Sequence, residues 1–314
     1  MTTGTAGTLG AIGGTSAGDV WVAGFAGTIL HWDGISFASV ARPVPPLLLA
    51  SWGSSASDVW VVGHLGWILH WDGTAWSNVP SGTTALLQGV WGSSSTDVWA
   101  VGGNTILHWD GRSWSIALTN APSSLGAVWG SAANDVWAVG GTTSLHWDGT
   151  AWSRASGGTT NSLVAAWGNS SNDVWAVGYQ GTIVHWNGSA WSGVSSATTA
   201  YLSGIWGSSA TDVWVVASSS TAPFLHWDGT VWSTVTASEL SPDWLQAIWG
   251  SSADDIWAVG RNGTTGHWNG SVWSKVESGT TAFLTGVWGS SSTDVWAVGS
   301  SSAPYAGAIL RHRP

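Results

Sequence analysis

The chain has 314 residues, of which 30 are Trp, 44 are Gly and only 7 are Lys or Arg, and its net charge is −10. Nucleic acid and anionic membrane surfaces are bound by clustered Lys and Arg, so this composition argues against both kinds of partner. The chain has no Cys, which excludes disulfides and thiolate metal sites, and no apolar run approaches the ~18 residues of a membrane helix.

The first residues, "MTTGTAGTLG", contain neither a basic region nor an apolar core, so we expect no signal peptide in this chain. After them, a triplet Asp-(Val/Ile)-Trp recurs at intervals of 38 to 43 residues. Its aspartates are Asp19, Asp58, Asp97, Asp135, Asp173, Asp212, Asp255 and Asp294. A period near 40 indicates an array of supersecondary units. Gly and β-branched residues in every unit exclude a helical repeat.

Each unit contains four short runs that are typical of β-strands, bounded by Gly, Asn, Asp and Ser. In the third unit they are strand a (86–92), strand b (97–102), strand c (105–111) and strand d (113–117). A Gly-Asn turn joins strands b and c, and Asp-Gly joins strands c and d, as in hairpins. Strand c carries bulky residues on both faces, so both faces must be covered. Four-stranded sheets stacked around an axis satisfy this demand, and the sequence therefore predicts an all-β propeller.

Counting the repeats predicts a single domain, 1–314, of eight four-stranded antiparallel blades. Their approximate bounds are 1–40, 41–80, 81–118, 119–156, 157–195, 196–236, 237–277 and 278–314. Strands a, b and c occur eight times, but the last blade lacks its outer strand. We therefore expect the ring to close by side-chain packing between the first and last blades, without a strand shared between the two ends of the chain.

The repeated order L-x-G-V-W-G, D-V-W-A-V-G and G-T-I-L-H-W-D-G resembles BNR/Asp-box β-propellers. It is most similar to the blades of the photosystem II assembly factor (Ycf48-like) type. The turn at 72–76, "DGTAW", matches the Asp-box only in part. The resemblance covers nearly the whole chain and implies the propeller fold. It also suggests Trp-rich propeller lectins of bacteria and fungi as functional relatives.

Four Trp positions recur in the blades: one in strand a, one after Asp-Val, one after the strand-c His and one opening strand d. We predict that they pack blade against blade, since one indole buries roughly 150–250 Å². A His recurs in strand c, and we predict that it bonds to the repeated Asp or to a backbone carbonyl. Those His are His31, His70, His108, His146, His185, His226, His267 and His312. They should lie more than ~10 Å apart, too far to share a metal ion. The repeated Asp is expected to cap the preceding Ser-rich turn.

Candidate binding residues are those that differ between blades, because a shape needs the same residues each time whereas a site can need different ones. The b–c and d–a connections share one face of a propeller, which we call the top face. The a–b and c–d turns share the bottom face and hardly vary. The candidates on the top face are His64, Trp67, Tyr179, Gln180, Tyr201, Asp243, Trp244, Arg261, Asn262 and Phe283. Aromatic planes with a few polar neighbours describe a sugar or small-ligand site, although drift in tolerant loops would also explain them.

The main functional prediction is a non-enzymatic, carbohydrate-binding (lectin-like) propeller with multivalent or top-face sites. The alternatives are a protein-interaction scaffold and a rigid module of a surface protein. Equivalent pockets between most blades would favour the lectin, and one asymmetric aromatic patch would favour a single partner. The six arginines are scattered and no Ser-His-Asp set stands apart from the repeat, so we expect no catalytic activity. We also expect no cofactor or metal, glycans or a protein as partner, a monomer, and an extracellular or cell-surface location.

Overall fold

The computed structural model describes residues 2–6, 9–24, 28–39, 47–155, 158–219, 222–240, 244–300 and 306–312. These residues form eight four-stranded antiparallel sheets. Within each sheet the strands follow the order a, b, c, d, and strands a of successive sheets lie side by side. The chain is therefore an eight-bladed β-propeller, as the repeat count predicted.

The strands of the eight blades recur at closely matched positions along the chain. The a strands are Leu9–Ser16, Leu48–Ser55, Gly89–Ser94, Ala127–Ala132, Leu163–Ser170, Leu202–Ser209, Leu245–Ser252 and Phe283–Ser291. The b strands are Asp19–Gly24, Asp58–Gly63, Asp97–Gly102, Asp135–Gly140, Asp173–Gly178, Asp212–Ala217, Asp255–Gly260 and Asp294–Ser300. The c strands are Ile29–Trp32, Ile68–Trp71, Thr105–Trp109, Thr143–Trp147, Ile183–Trp186, Phe224–Trp227, Thr265–Trp268 and Ala306–His312. The d strands are Phe37–Ser39, Trp76–Asn78, Trp114–Leu118, Trp152–Arg154, Trp191–Val194, Trp232–Val235 and Trp273–Lys275, and strand Thr2–Ala6 joins the eighth sheet.

Strand b is the most buried strand because neighbouring blades cover both of its faces. In blade two, all six residues of Asp58–Gly63 are buried. The interface between blades two and three shows how the faces are shared. It contains Trp60, Val62 and Ile68 from blade two and Leu87, Val98, Ala100, Leu107 and Trp114 from blade three. Each interface is therefore a separate small core, and the ring is held together by a series of such cores.

The strand-a Trp packs against the Gly of the Trp-Gly pair in the next blade. A Cβ added to Gly92 would lie 2.6 Å from Cη2 of Trp52, and one added to Gly130 would lie 2.5 Å from Cη2 of Trp91. Only Gly leaves room for the indole at these positions. This close approach explains why Trp-Gly is repeated, and it confirms the predicted packing role of the strand-a Trp.

The ring closes differently from the expectation. The eighth repeat itself supplies three strands, as predicted. However, strand Thr2–Ala6 pairs antiparallel with strand c of blade eight, with Thr2 opposite Ala308 and Ala6 opposite Ala306. The prediction of closure without a shared strand is therefore wrong, because the N-terminal backbone takes the outer position of the last blade.

The register of blade eight also corrects the sequence alignment by one residue. In blade one, His31 lies opposite Trp21 and Trp32 opposite Val20. In blade eight, Arg311 lies opposite Trp296, and His312 lies opposite the preceding valine. Arg311 therefore takes the place of the repeated His, and His312 takes the place of the strand-c Trp. The prediction that His312 is the repeated His of blade eight is therefore wrong.

Arg311 links the last blade to the first. Its Nε donates to Oδ1 of Asp294 at 2.6 Å, and its Nη2 donates to the carbonyl of Ala17 in blade one at 3.2 Å. The guanidinium also lies over the rings of Trp32 and Trp296, at 4.7 and 4.4 Å from their centroids. Arg311 therefore adds a hydrogen bond and a cation–π contact between the last blade and the first.

Candidate functional site

The repeated His and Asp form one hydrogen-bonded pair in each of the first seven blades. In blade four, Nε2 of His146 lies 2.7 Å from Oδ1 of Asp135, and Ser131 donates its hydroxyl to Oδ2 at 2.5 Å. Burial by itself raises the pKa of the Asp135 carboxyl, but the bonds from His146 and Ser131 outweigh burial and hold that pKa below its usual value. The predicted Asp–His bond and the capping of the Ser-rich turn are both confirmed. Among the described residues, no group of three or more His, Asp or Glu side chains could hold a metal ion.

The His ring is also stacked on the strand-b Trp of its own blade. The centroids of Trp21 and His31 are 3.8 Å apart, with an interplanar angle of 8°. Trp71 of the next blade packs against Trp21 at 4.8 Å and Trp76 packs edge-on at 5.0 Å. The repeated aromatic residues are thus used to join blades. Among the described residues, Trp244 is the one Trp whose side chain is exposed, with 47% of its surface accessible.

The b–c turn and the residue that precedes strand a meet at the top face, as predicted. In blade seven the backbone N–H of Arg261 donates to the carbonyl of Trp244 at 2.9 Å, and in blade five Tyr179 donates to Ser162 at the same distance. The residue that follows strand b therefore lies beside the residue that precedes strand a of its own blade. Side chains at these two positions are brought together although 17 residues separate them in blades five and seven.

Three b–c turns adopt the same short 3-10 geometry, which determines where their side chains lie. They are His64–Gly66, Tyr179–Gly181 and Arg261–Gly263. The middle residue has a positive φ of 56° in the first turn and 54° in the other two. The final Gly donates its N–H to the loop that leads into the next blade, as Gly263 does to Ala282 at 2.7 Å. A Cβ on Gly263 would lie 1.9 Å from the carbonyl oxygen of Thr280, so only Gly allows this contact.

Two tyrosines form the first half of an aromatic arc on the top face. Tyr179, in the turn of blade five, packs against Tyr201 at the start of blade six, with ring centroids 4.7 Å apart and 51° between the planes. Tyr179 is 52% exposed. Burial, together with the neighbouring Tyr179, raises the pKa of Tyr201 above its usual value, so the Tyr201 hydroxyl is a neutral donor at neutral pH. Gln180 follows at the apex of the turn and borders a shallow pocket with the loop 194–199.

Trp244, Arg261 and Phe283 form the second half of the arc. The Arg261 guanidinium carbon lies 4.1 Å from the centroid of the Trp244 ring and 5.6 Å from that of Phe283. Among the described residues, none forms an ion pair with Arg261. The geometry is that of a cation–π contact with a half-exposed indole, and the Arg261 side chain is itself exposed. Asn262 is the positive-φ residue of the same turn.

The structure does not bring all the predicted residues together. His64 is exposed and Trp67 is half-buried, and both belong to blade two, which blades three and four separate from the tyrosine pair. Trp67 packs against the core between blades one and two and borders a shallow pocket with the loop 78–84. Asp243 lies outside the described residues. The arc therefore consists of Tyr179, Tyr201, Trp244, Arg261 and Phe283.

Leu65 was not among the candidates predicted from the sequence, although it is 52% exposed at the apex of the His64–Gly66 turn. Its place is equivalent to those of Gln180 and Asn262. The signal was available in the three aligned turns "HLG", "YQG" and "RNG", whose middle residues must all point away from the blade. No helix in the described part of the chain is long and apolar enough to cross a membrane.

No protein-family model matches the chain, and no curated protein matches it. Its fold is similar to solved propellers. The computationally designed Ika8 protein has a TM-score of 0.80 and 15% identity, covering 100% of this chain and 98% of that one. The C-terminal WD40 domain of Sif2 has a TM-score of 0.78 and 10% identity, with 100% and 98% covered. YCF48 bound to D1 peptide has a TM-score of 0.65 and 16% identity, with 85% and 95% covered. The resemblance to Ycf48-type propellers is thus confirmed at the level of the fold.

Proposed function

We propose that the chain is a protein-interaction scaffold that binds a peptide segment of its partner along the arc on blades five to eight. The observation that carries the proposal is the asymmetric exposure of aromatic side chains. Tyr179 and Trp244 are 52% and 47% exposed, whereas the repeated Trp residues are engaged between blades. One asymmetric patch fits a single partner better than a set of equal sugar sites does.

The fold neighbours agree with this function without establishing it. One of them, YCF48, is bound to a D1 peptide. Propellers carry many unrelated functions, so this neighbour raises the expectation of a peptide partner and does not identify one. Kinship with Asp-box propellers, a bacterial source and an extracellular or cell-surface location stay predictions from the sequence.

Arg261 indicates the chemistry of the peptide. An exposed guanidinium that lies over Trp244 can still bind a carboxylate in a bidentate manner through its N–H groups. Trp244 and Phe283 beside it offer apolar surface. We therefore expect a peptide with an acidic side chain or a free C-terminal carboxylate next to an apolar residue.

Selection from a displayed random-peptide library, run beside a glycan array, tests the proposal. The enriched peptides should carry that acidic and apolar pair, and their affinity should fall at least about tenfold in Trp244→Ala. Arg261→Lys should not restore the affinity lost in Arg261→Gln, because an ammonium cannot reproduce the stacked fork. Val272→Ala is the matched control, since Val272 is 56% exposed in a c–d turn on the bottom face.

The glycan array distinguishes a protein-interaction scaffold from a lectin. Glycan binding that is lost in Trp244→Ala, with no peptide enriched, would replace the scaffold by a top-face lectin. Glycan binding that survives in Trp244→Ala would move the sugar sites to the shallow pockets beside the loops 78–84 and 194–199. Peptide binding that is unchanged in both Trp244→Ala and Arg261→Gln would contradict the assignment of the arc.

A further inference from the structure

An aromatic ring fills the same place in seven of the eight blade interfaces. The residue that opens strand d packs edge-on against the strand-b Trp of the preceding blade, with centroids 5.0 to 5.6 Å apart. The pairs are Trp21–Trp76, Trp60–Trp114, Trp99–Trp152, Trp137–Trp191, Trp175–Trp232, Trp214–Trp273 and Trp296–Phe37. The interface between blades seven and eight has Trp257 at the strand-b position, but no described residue supplies the opposing ring.

A cavity of about 220 Å³ lies at this interface, and we call it the 7–8 cavity. Its walls include Trp257, Val259, Thr265, Val295, Ala297 and Leu310. In the interface between blades two and three, the equivalent residues surround Trp114. Those residues are Trp60, Val62, Ile68, Val98, Ala100 and Leu107. The cavity therefore keeps the shape of an indole site, and it is widened where Thr265 stands in place of Ile68.

An aromatic ring at this place would be held by close packing and would need no hydrogen bond. In the six interfaces filled by Trp, the indole Nε1 of the strand-d Trp has no hydrogen-bond partner. Binding there depends on apolar contact with a flat ring, and apolar cavities of about 150 Å³ are known to take up benzene. The lining of the 7–8 cavity also includes the polar residues Glu277, Ser278, Arg311 and His312, which lie beside these walls.

We propose that the 7–8 cavity binds a planar, two-ring aromatic group of indole size, edge-on against Trp257. The ring would replace the contact that Trp114 makes with Trp60 at 5.3 Å. This site is separate from the arc, since none of its lining residues belongs to the arc. The test of this site is therefore independent of the test of the proposed function.

Titration of the full chain with 5-fluoroindole, followed by ¹⁹F NMR, tests the site, because 30 Trp residues obscure fluorescence. We expect saturable binding, displacement by naphthalene, and contacts from the probe to the methyl groups of Leu310 and Val295. Leu310→Phe and Ala297→Phe each place a ring in the cavity and should weaken binding at least about tenfold. Val272→Ala, on the bottom face, should leave binding unchanged.

A comparison of the Tm of two variants tests, without any ligand, whether the 7–8 cavity has room for an aromatic ring. Ala100→Phe forces a ring into the space that Trp114 already fills, so its Tm should fall by roughly 5 °C or more. Ala297→Phe at the equivalent place should leave the Tm unchanged or raise it. Equal losses of Tm in the two variants would show that the cavity is not free, and they would overturn the proposal.

The same titration with N-acetyltryptophanamide separates two sources of the ring. Binding equal to that of indole would point to a Trp side chain on a peptide, whereas binding of indole alone would point to a free aromatic molecule; both support the site. Absence of saturable 5-fluoroindole binding would overturn the proposal. Binding that persists in both Phe variants, or probe contacts away from Leu310 and Val295, would also overturn it.

Discussion

The bottom and top faces of this propeller are built by the same strands but use their residues differently. On the bottom face, Asp135, Ser131 and His146 form a bonded set that recurs with little change around the ring. On the top face, the aligned positions of Tyr201, Trp244 and Phe283 hold Leu47, Leu86, Ser124 and Ser162 in other blades. Positions that repeat maintain the shape of the blade, and positions that vary are free to bind.

Acidification should produce the largest effect, because it acts on the bottom face of many blades at once. Hydrogen bonds from Thr74 and from the backbone of the turn lower the pKa of Asp72 from 3.8 to about 2, and Asp148 and Asp228 behave alike. The pKa of the Asp135 carboxyl is lowered as well. A lowered folded pKa adds stability that is present above the unfolded value and lost as the pH falls through the folded one. The Tm should hold above about pH 5 and fall steeply from about pH 4 towards about pH 2.

Asp72→Asn is the control for this pH dependence, because it keeps the turn acceptor and removes the titration. Asn187 already serves this way in blade five, where its Oδ1 accepts from the backbone of Ser189 and Ala190. The variant should show a shallower loss of Tm between about pH 4 and about pH 2. A Tm that does not change with pH across this range would contradict the account of the bottom face.

The Trp-Gly contact gives the next largest effect. In Gly92→Ala the new Cβ would meet the Trp52 ring at 2.6 Å, so the free energy of unfolding should fall by about 1–3 kcal/mol. Gly53→Ala is the matched variant, because blade one has Gly13 in place of the Trp and the nearest atom is the Asp58 carbonyl oxygen at 3.0 Å. Chemical denaturation should show the smaller loss for Gly53→Ala. Equal losses would mean that the blade contact is not what requires Gly.

A single blade that departs from the repeat offers a small stabilising change. Oδ2 of Asp173 is buried without a hydrogen-bond partner. Asn169 occupies the position from which Ser131 donates its hydroxyl to Asp135 in blade four. Asn169→Ser should supply the missing hydroxyl and raise the free energy of unfolding by about 1 kcal/mol. Ser131→Asn in blade four is the reciprocal control and should lower it by a similar amount. A destabilised Asn169→Ser variant would show that blade five satisfies this Asp in another way.

The repeat made most of the fold predictable. Residues that recur determine the period, the blade count, strand b at 97–102 and the Asp–His bond. An ambiguous assignment in one unit is resolved by comparison with the other units. Ring closure could not be predicted, because "TTGTA" has no apolar alternation that marks it as a strand. The register of blade eight was missed because His312 matches the repeated residue type while Arg311 occupies its place.

The candidate site was predictable only in part. Alignment located Tyr201, Trp244 and Phe283 at one position of successive blades. The stacking of Arg261 on Trp244 depends on a positive φ at Asn262 and on the close approach of Gly263 to Thr280. Such contacts are decided by turn geometry, which the composition of a turn does not specify.

A mutational scan with two readouts, resistance to proteolysis and binding of an enriched peptide, tests whether the binding residues are confined to the arc. Substitutions at Tyr179, Tyr201, Trp244, Arg261 and Phe283 should reduce binding while the folded fraction stays unchanged. Substitutions in the repeated Asp, His and Trp-Gly positions should reduce both readouts together. Positions that affect binding alone, if they were spread evenly around the ring or gathered on the bottom face, would contradict the division between a shape-keeping face and a binding face.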